Sequence, residues 1–86
     1  MDALKLARMA NQIGSFFASE PDHALAVEGV ASHLRRFWDP RMRTQLLAWV
    51  DQTGGPALTP LVLEAVRTNR ERLGARTARN PAPAPR

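Results

Sequence analysis

Few residues in this 86-residue chain have the type and spacing that chemistry requires. The two histidines, His23 and His33, stand ten positions apart, outside the HxxxH and HExxH spacings that bring two imidazoles to one zinc ion. The chain has no cysteine, which removes thiolate zinc sites, cysteine-ligated iron–sulfur clusters, a cysteine nucleophile and a disulfide framework. Asp51 and Glu64 sit in no motif that marks an acid/base pair. Gly54-Gly55 run into Pro56 rather than into GxGxxG or GxxxxGK(S/T), so they read as a helix stop and not as a phosphate cradle. No catalytic residue, no metal ligand and no cofactor-binding residue is predicted.

The densest side-chain chemistry lies in Leu34-Arg35-Arg36-Phe37-Trp38-Asp39-Pro40-Arg41-Met42-Arg43, which holds four arginines and two large aromatics. Phe37 and Trp38 stand about 100° apart on a helix, as do Phe16 and Phe17, so a narrow apolar stripe cannot bury every ring. Either the stripe is wide or a ring faces a partner. Trp and Arg are among the residues most enriched at protein–protein hot spots. That makes Arg35, Arg36, Phe37, Trp38, Arg41 and Arg43 the candidate partner-binding residues, against the plainer reading of core aromatics and a solvated arginine face. The same groups could pair with phosphates and stack on bases. Asp39 inside the cluster and the charge balance of the body argue against nucleic acid.

Helical periodicity supplies the elements that must carry these residues. Leu6, Met9, Ala10, Ile13, Phe16 and Phe17 recur at three- and four-residue steps and predict a first helix over about 2–18, with Gly14 marking a close helix–helix approach. Ser19 or Glu20 before Pro21 predicts a second helix over about 21–37, with the stripe Val27, Val30, Ala31, Leu34 and Phe37/Trp38. Asp39-Pro40 opens a third, whose stripe is Met42, Leu46, Trp49 and Val50 and which Gly54-Gly55-Pro56 ends through a left-handed position. Thr59-Pro60 opens a fourth over about 60–73, with Leu58, Val62, Ala65, Val66 and Leu73 inward and Gly74 closing it. No stretch alternates like a half-buried strand. The expected fold is all-α, a small bundle of about four short helices over residues 1–74, followed by a flexible, disordered Arg/Pro tail over 75–86.

Composition is globular, with 44% hydrophobic and 23% charged residues. The net charge of +4 is uneven: residues 1–66 hold six bases against seven acids, and residues 67–86 hold six arginines against Glu71. The body is thus slightly acidic, and the positive charge belongs to the C-terminal end. The run Leu46-Leu47-Ala48-Trp49-Val50 falls far short of the roughly 20 apolar residues that span a bilayer. The opening Met1-Asp2, with Lys5 and Arg8, lacks the apolar region of a secretory signal, so a cytoplasmic location is expected. A core of this size rarely supplies more than about 3–5 kcal/mol, and association with a partner is expected for that reason too.

Three stretches, taken in order, resemble one family: Met9-Ala10-Asn11-Gln12-Ile13-Gly14-Ser15-Phe16-Phe17, then His33 to Arg43, then Gly54-Gly55 with Leu58-Thr59-Pro60-Leu61-Val62. Over about residues 4–67 the chain is similar to the delta subunit of cytoplasmic, NAD-dependent, molybdenum-containing formate dehydrogenases. It departs at His23, where a basic residue such as Arg is expected after Asp22. The resemblance implies a cofactor-free, non-catalytic accessory subunit that binds the catalytic (alpha) subunit and supports the stability or maturation of the complex. Molybdenum, clusters, flavin and NAD would then belong to other subunits. Two alternatives stay open: a free-standing assembly chaperone for the molybdenum subunit, and a small nucleic-acid-binding helical protein.

Overall fold

The computed structural model describes residues 2–74; the expected tail over 75–86 lies outside them. The described residues form five helices and no strand: α1 (Ala3–Phe17), α2 (His23–Phe37), α3 (Pro40–Thr53), α4 (Pro60–Thr68) and α5 (Arg70–Leu73). Helix α2 packs against α1, α4 and α5, while α3 closes the bundle against α1 and α5.

Three aspartates start the first three helices by accepting backbone N–H groups that have no partner within the helix. Asp2 takes that of Leu4 at 3.1 Å, Asp22 those of Ala24 and Leu25 at 3.0 and 3.3 Å, and Asp39 that of Arg41 at 2.8 Å. The second helix therefore begins later than expected. Pro21 lies in the preceding bend, Asp22 is the cap, and Glu20 accepts the Asp22 N–H at 3.0 Å. A carboxylate is the stronger acceptor for two bare donors, and it fixes the start in place of the proline. Gly54 ends α3 at φ +83°, a left-handed cap as expected.

The expected fourth helix is two helices. Thr68 donates its hydroxyl to the Glu64 carbonyl at 2.8 Å, and Asn69 donates its side-chain amide to the Ala65 carbonyl at 3.0 Å. Two successive side chains thus bond carbonyls four residues back, which bends a helix. Asn69 takes φ −116°, ψ 25°, and the chain restarts as α5. The bend carries Leu73 into the core, where it is fully buried with Leu6, Val30, Leu34, Leu46, Val62 and Val66.

Gly14 is the close approach the sequence suggests: a Cβ there would lie 2.4 Å from Val62 Cγ2. Beside it, Asn11 donates to the Ala57 carbonyl at 2.8 Å and accepts the Thr59 N–H at 3.0 Å. The side chain of Thr59 makes no capping bond to α4; Asn11 on α1 holds that entry instead.

Candidate functional site

The stretch from Arg35 to Arg43 forms the corner between α2 and α3, and its residues divide between interior and surface. Trp38 caps α2, donating its backbone N–H to the Leu34 carbonyl at 3.1 Å, and its ring joins the core at 7% exposure. Arg43 is 5% exposed and donates from Nη1 to the Arg35 carbonyl at 3.1 Å. A guanidinium at the C-terminal end of α2 meets the negative end of the helix dipole. Burial holds its pKa below the usual arginine value, and the Arg35 charge acts in the same direction, partly opposed by Asp39. Among the described residues its Nε has no hydrogen-bond partner. Trp38 and Arg43, expected on a partner-facing surface, are placed inside the corner, because a tight helix–helix turn needs a plug and a cap for its carbonyl end.

The other candidates remain outside. Arg35, Arg36 and Arg41 are exposed, and Phe37 is 70% exposed. No carboxylate among the described residues pairs with these three arginines. Arg36 instead lies 5.7 Å from the Phe37 ring centroid, within cation–π range. The His33 ring packs against Phe37 from the preceding turn, 4.9 Å away and tilted by 45°.

The structure extends the surface in a direction that sequence reasoning missed. Phe16 is 76% exposed and meets Phe17 edge to face at 5.0 Å. Phe17 lies over α2 at Gly29, where an added Cβ would come within 2.4 Å of its ring. Together Phe17, Leu25, Gly29, His33, Arg36 and Phe37 line an open groove of about 330 Å³. Leu25, Gly29, His33 and Phe37 recur every fourth residue, one position before the buried row Ala26, Val30, Leu34 and Trp38. That second row was the available signal, hidden because Gly and His do not count as apolar.

Three charged pairs lie elsewhere on the described surface. His23 Nε2 lies 2.8 Å from Glu64, Arg70 pairs with Asp51, and Arg72 grips both Glu28 oxygens at 2.7 and 2.8 Å. Arg72 holds the Glu28 carboxyl below its ordinary pKa, and Glu28 raises that of Arg72. No cluster of three or more metal-ligating side chains occurs among the described residues. No helix among them is long and apolar enough to cross a membrane.

Such a molecule is a small all-helical module whose uncommitted chemistry is an aromatic and arginine surface, the profile of a part made to sit on something larger. The family model for the NADH-dependent formate dehydrogenase delta subunit, FdsD, matches residues 5–66, and the chain belongs to that family. Comparison with curated proteins and with solved structures returned no match.

Proposed function

We propose that this chain is a non-catalytic accessory subunit of a cytoplasmic, NAD-dependent, molybdenum-containing formate dehydrogenase. It binds the catalytic (alpha) subunit and supports the stability or maturation of the complex. The family match carries the reading, since it covers α1 to α3 and most of α4, the span that also holds the exposed rings. Exposed Arg35, Arg36, Phe37 and Arg41 supply the docking contacts, and buried Trp38 and Arg43 hold the corner that presents them. Redox chemistry of this kind is carried by cofactors, so the chain acts through its partner. If it binds the cofactor-loaded enzyme more tightly than the empty one, linkage stabilises the loaded form.

Native gel filtration and affinity capture through the C-terminus test this directly. The chain is expected to travel with formate dehydrogenase activity, and enzyme produced without it is expected to contain less molybdenum. Migration as a free small protein in extracts that contain the enzyme would overturn the subunit reading. Equal molybdenum loading would remove the maturation role and leave a structural one.

A further inference from the structure

The fold accounts for much of the His33–Arg43 stretch and the NQIG run. Asn11, Gly14, Trp38, Asp39 and Arg43 all have partners or tasks within the bundle. Phe16, Leu25, Arg36 and Phe37 stay exposed, although Phe16 touches Phe17 and Phe37 meets His33 and Arg36. Leu25 is 57% exposed and lines the groove with Phe37, while exposed Phe16 adjoins it through its edge-to-face contact with Phe17, in a chain with three phenylalanines in all. Contiguous apolar exposure of this sort marks an interaction site.

We propose that the α1–α2 face built on Phe16, Leu25, Gly29, His33 and Phe37 seats an amphipathic helix of another formate dehydrogenase subunit. The apolar side of that helix covers the rings, and a carboxylate on it pairs with Arg36. The proposal rests on the subunit reading above and adds to it the face and the chemistry of the partner.

Shape selects a helix. The backbone groups of α1 and α2 are committed to their own ladders, so this face offers no edge on which a strand could add. A groove between two helices, with the Phe17 ring seated over Gly29 at its floor, accepts the side-chain ridge of a third. From Leu25 to Phe37 the face runs roughly 18 Å at 1.5 Å per residue, or about three turns of the incoming helix.

Charge selects the partner. Arg36 lies on the rim of the groove without a carboxylate among the described residues. The acid that also lines the groove, Glu28, has both oxygens taken by Arg72. A second copy would bring its own Arg36 to this face and no free acid to meet the first. The C-terminal residues 75–86 of this chain contain three arginines and no acid, so they are the wrong sign as well. A heterologous helix with an Asp or Glu one turn from its apolar anchors satisfies the site.

The test uses the full chain and purified formate dehydrogenase subunits prepared without it, with affinity read by biolayer interferometry. Phe16→Glu and Phe37→Glu are each expected to weaken binding by about 30-fold or more, and Arg36→Glu by about 10-fold. Leu4→Glu, at an exposed position outside the groove lining, is expected to stay within about twofold. Circular dichroism checks that each variant is folded, with Phe16→Ser and Phe37→Ser replacing any that is not. Benzoylphenylalanine at position 37 is expected to crosslink to a helical segment bearing Asp or Glu beside apolar residues. Wild-type binding that survives the phenylalanine changes overturns this inference and leaves the subunit reading standing. Failure of the wild-type chain to bind removes both. A dimer in sedimentation that Phe37→Glu abolishes makes a second copy the occupant, and a crosslink to a segment without an acid removes the Arg36 pairing; either result overturns the proposal.

Discussion

Replacing Gly14 with alanine puts opposing effects of known size on one atom. In a helix interior, alanine is favoured over glycine by about 1 kcal/mol. Against this, the new Cβ would stand 2.4 Å from Val62 Cγ2, more than 1 Å inside the roughly 3.5–4.0 Å that suits two carbons. Val62 is fully buried, and the gap is set by two helix backbones that Asn11 ties together. Relief therefore requires α1 and α4 to part. Overpacking of this kind costs about 1–3 kcal/mol, and the rigid setting argues for the upper end, so Gly14→Ala is expected to lose about 1–2 kcal/mol net. Val62→Ala alone leaves a cavity and costs about 2–3 kcal/mol. On that background the methyl added at position 14 enters vacated space, and the same substitution should now stabilise by about 0.5–1 kcal/mol. Urea unfolding followed by circular dichroism gives all four stabilities. The reversal of sign between backgrounds is the signature. Additivity within about 0.5 kcal/mol, or an increase in stability from Gly14→Ala in the wild-type chain, would refute the close-contact reasoning.

The arginine corner and the acid limb of stability give two further outcomes. Trp38→Ala is expected to remove about 3–5 kcal/mol, enough to unfold a domain of this size, while the double change Arg35→Ala with Arg36→Ala stays within about 1 kcal/mol of wild type in the same urea assay. Equal losses would place Trp38 outside the core. The Glu28 carboxyl is held below its ordinary value of 4.5 by Arg72, so the unfolded chain takes up its proton first as the pH falls. Stability from this pair is present above that value and lost below it. A stability difference between wild type and Glu28→Gln that is present at neutral pH should shrink steadily as the pH falls below 4.5; a difference that does not shrink there would exclude the ion pair as its source.

Helix positions are readable in the sequence because their signals are local. Asp39-Pro40 and Gly54 act within a few residues, and the structure places a boundary at each. The break at Asn69 is not readable in that way, since Thr68 and Asn69 have ordinary propensities in isolation and the bend comes from side-chain bonds to carbonyls one turn back. The start of α2 differs from expectation for a related reason: Pro21 is permitted at a first helical position, but Asp22 supplies bonds and a proline does not. For the site, composition identifies the right segment without saying which side chains are spent on the fold. Phe37 and Trp38 are neighbours in sequence and opposite in burial, and so are Arg41 and Arg43 two positions apart. Trp38 leaves α2 in an extended conformation and two residues rotate a helix by about 200°, and only the packing of α1 and α3 decides which of each pair turns inward. The contribution of Phe16 depends on α1 lying beside α2, a relation between elements that no local pattern encodes.

The Asn11 clasp also sets a schedule for synthesis. Its two partners, Ala57 and Thr59, come 46 and 48 residues later in the chain. At about 5–20 residues per second, α1 waits roughly 2–9 seconds on the ribosome before the segment that covers its Gly14 side exists. During that interval α2 and then α3 can pack on α1 but the α4 cover over Gly14 is missing, and the bundle cannot lock until nearly all of the described residues have emerged. Stalled or truncated products ending before residue 57 would carry an unclosed α1, which makes them natural substrates for chaperones and proteases rather than slightly shorter subunits.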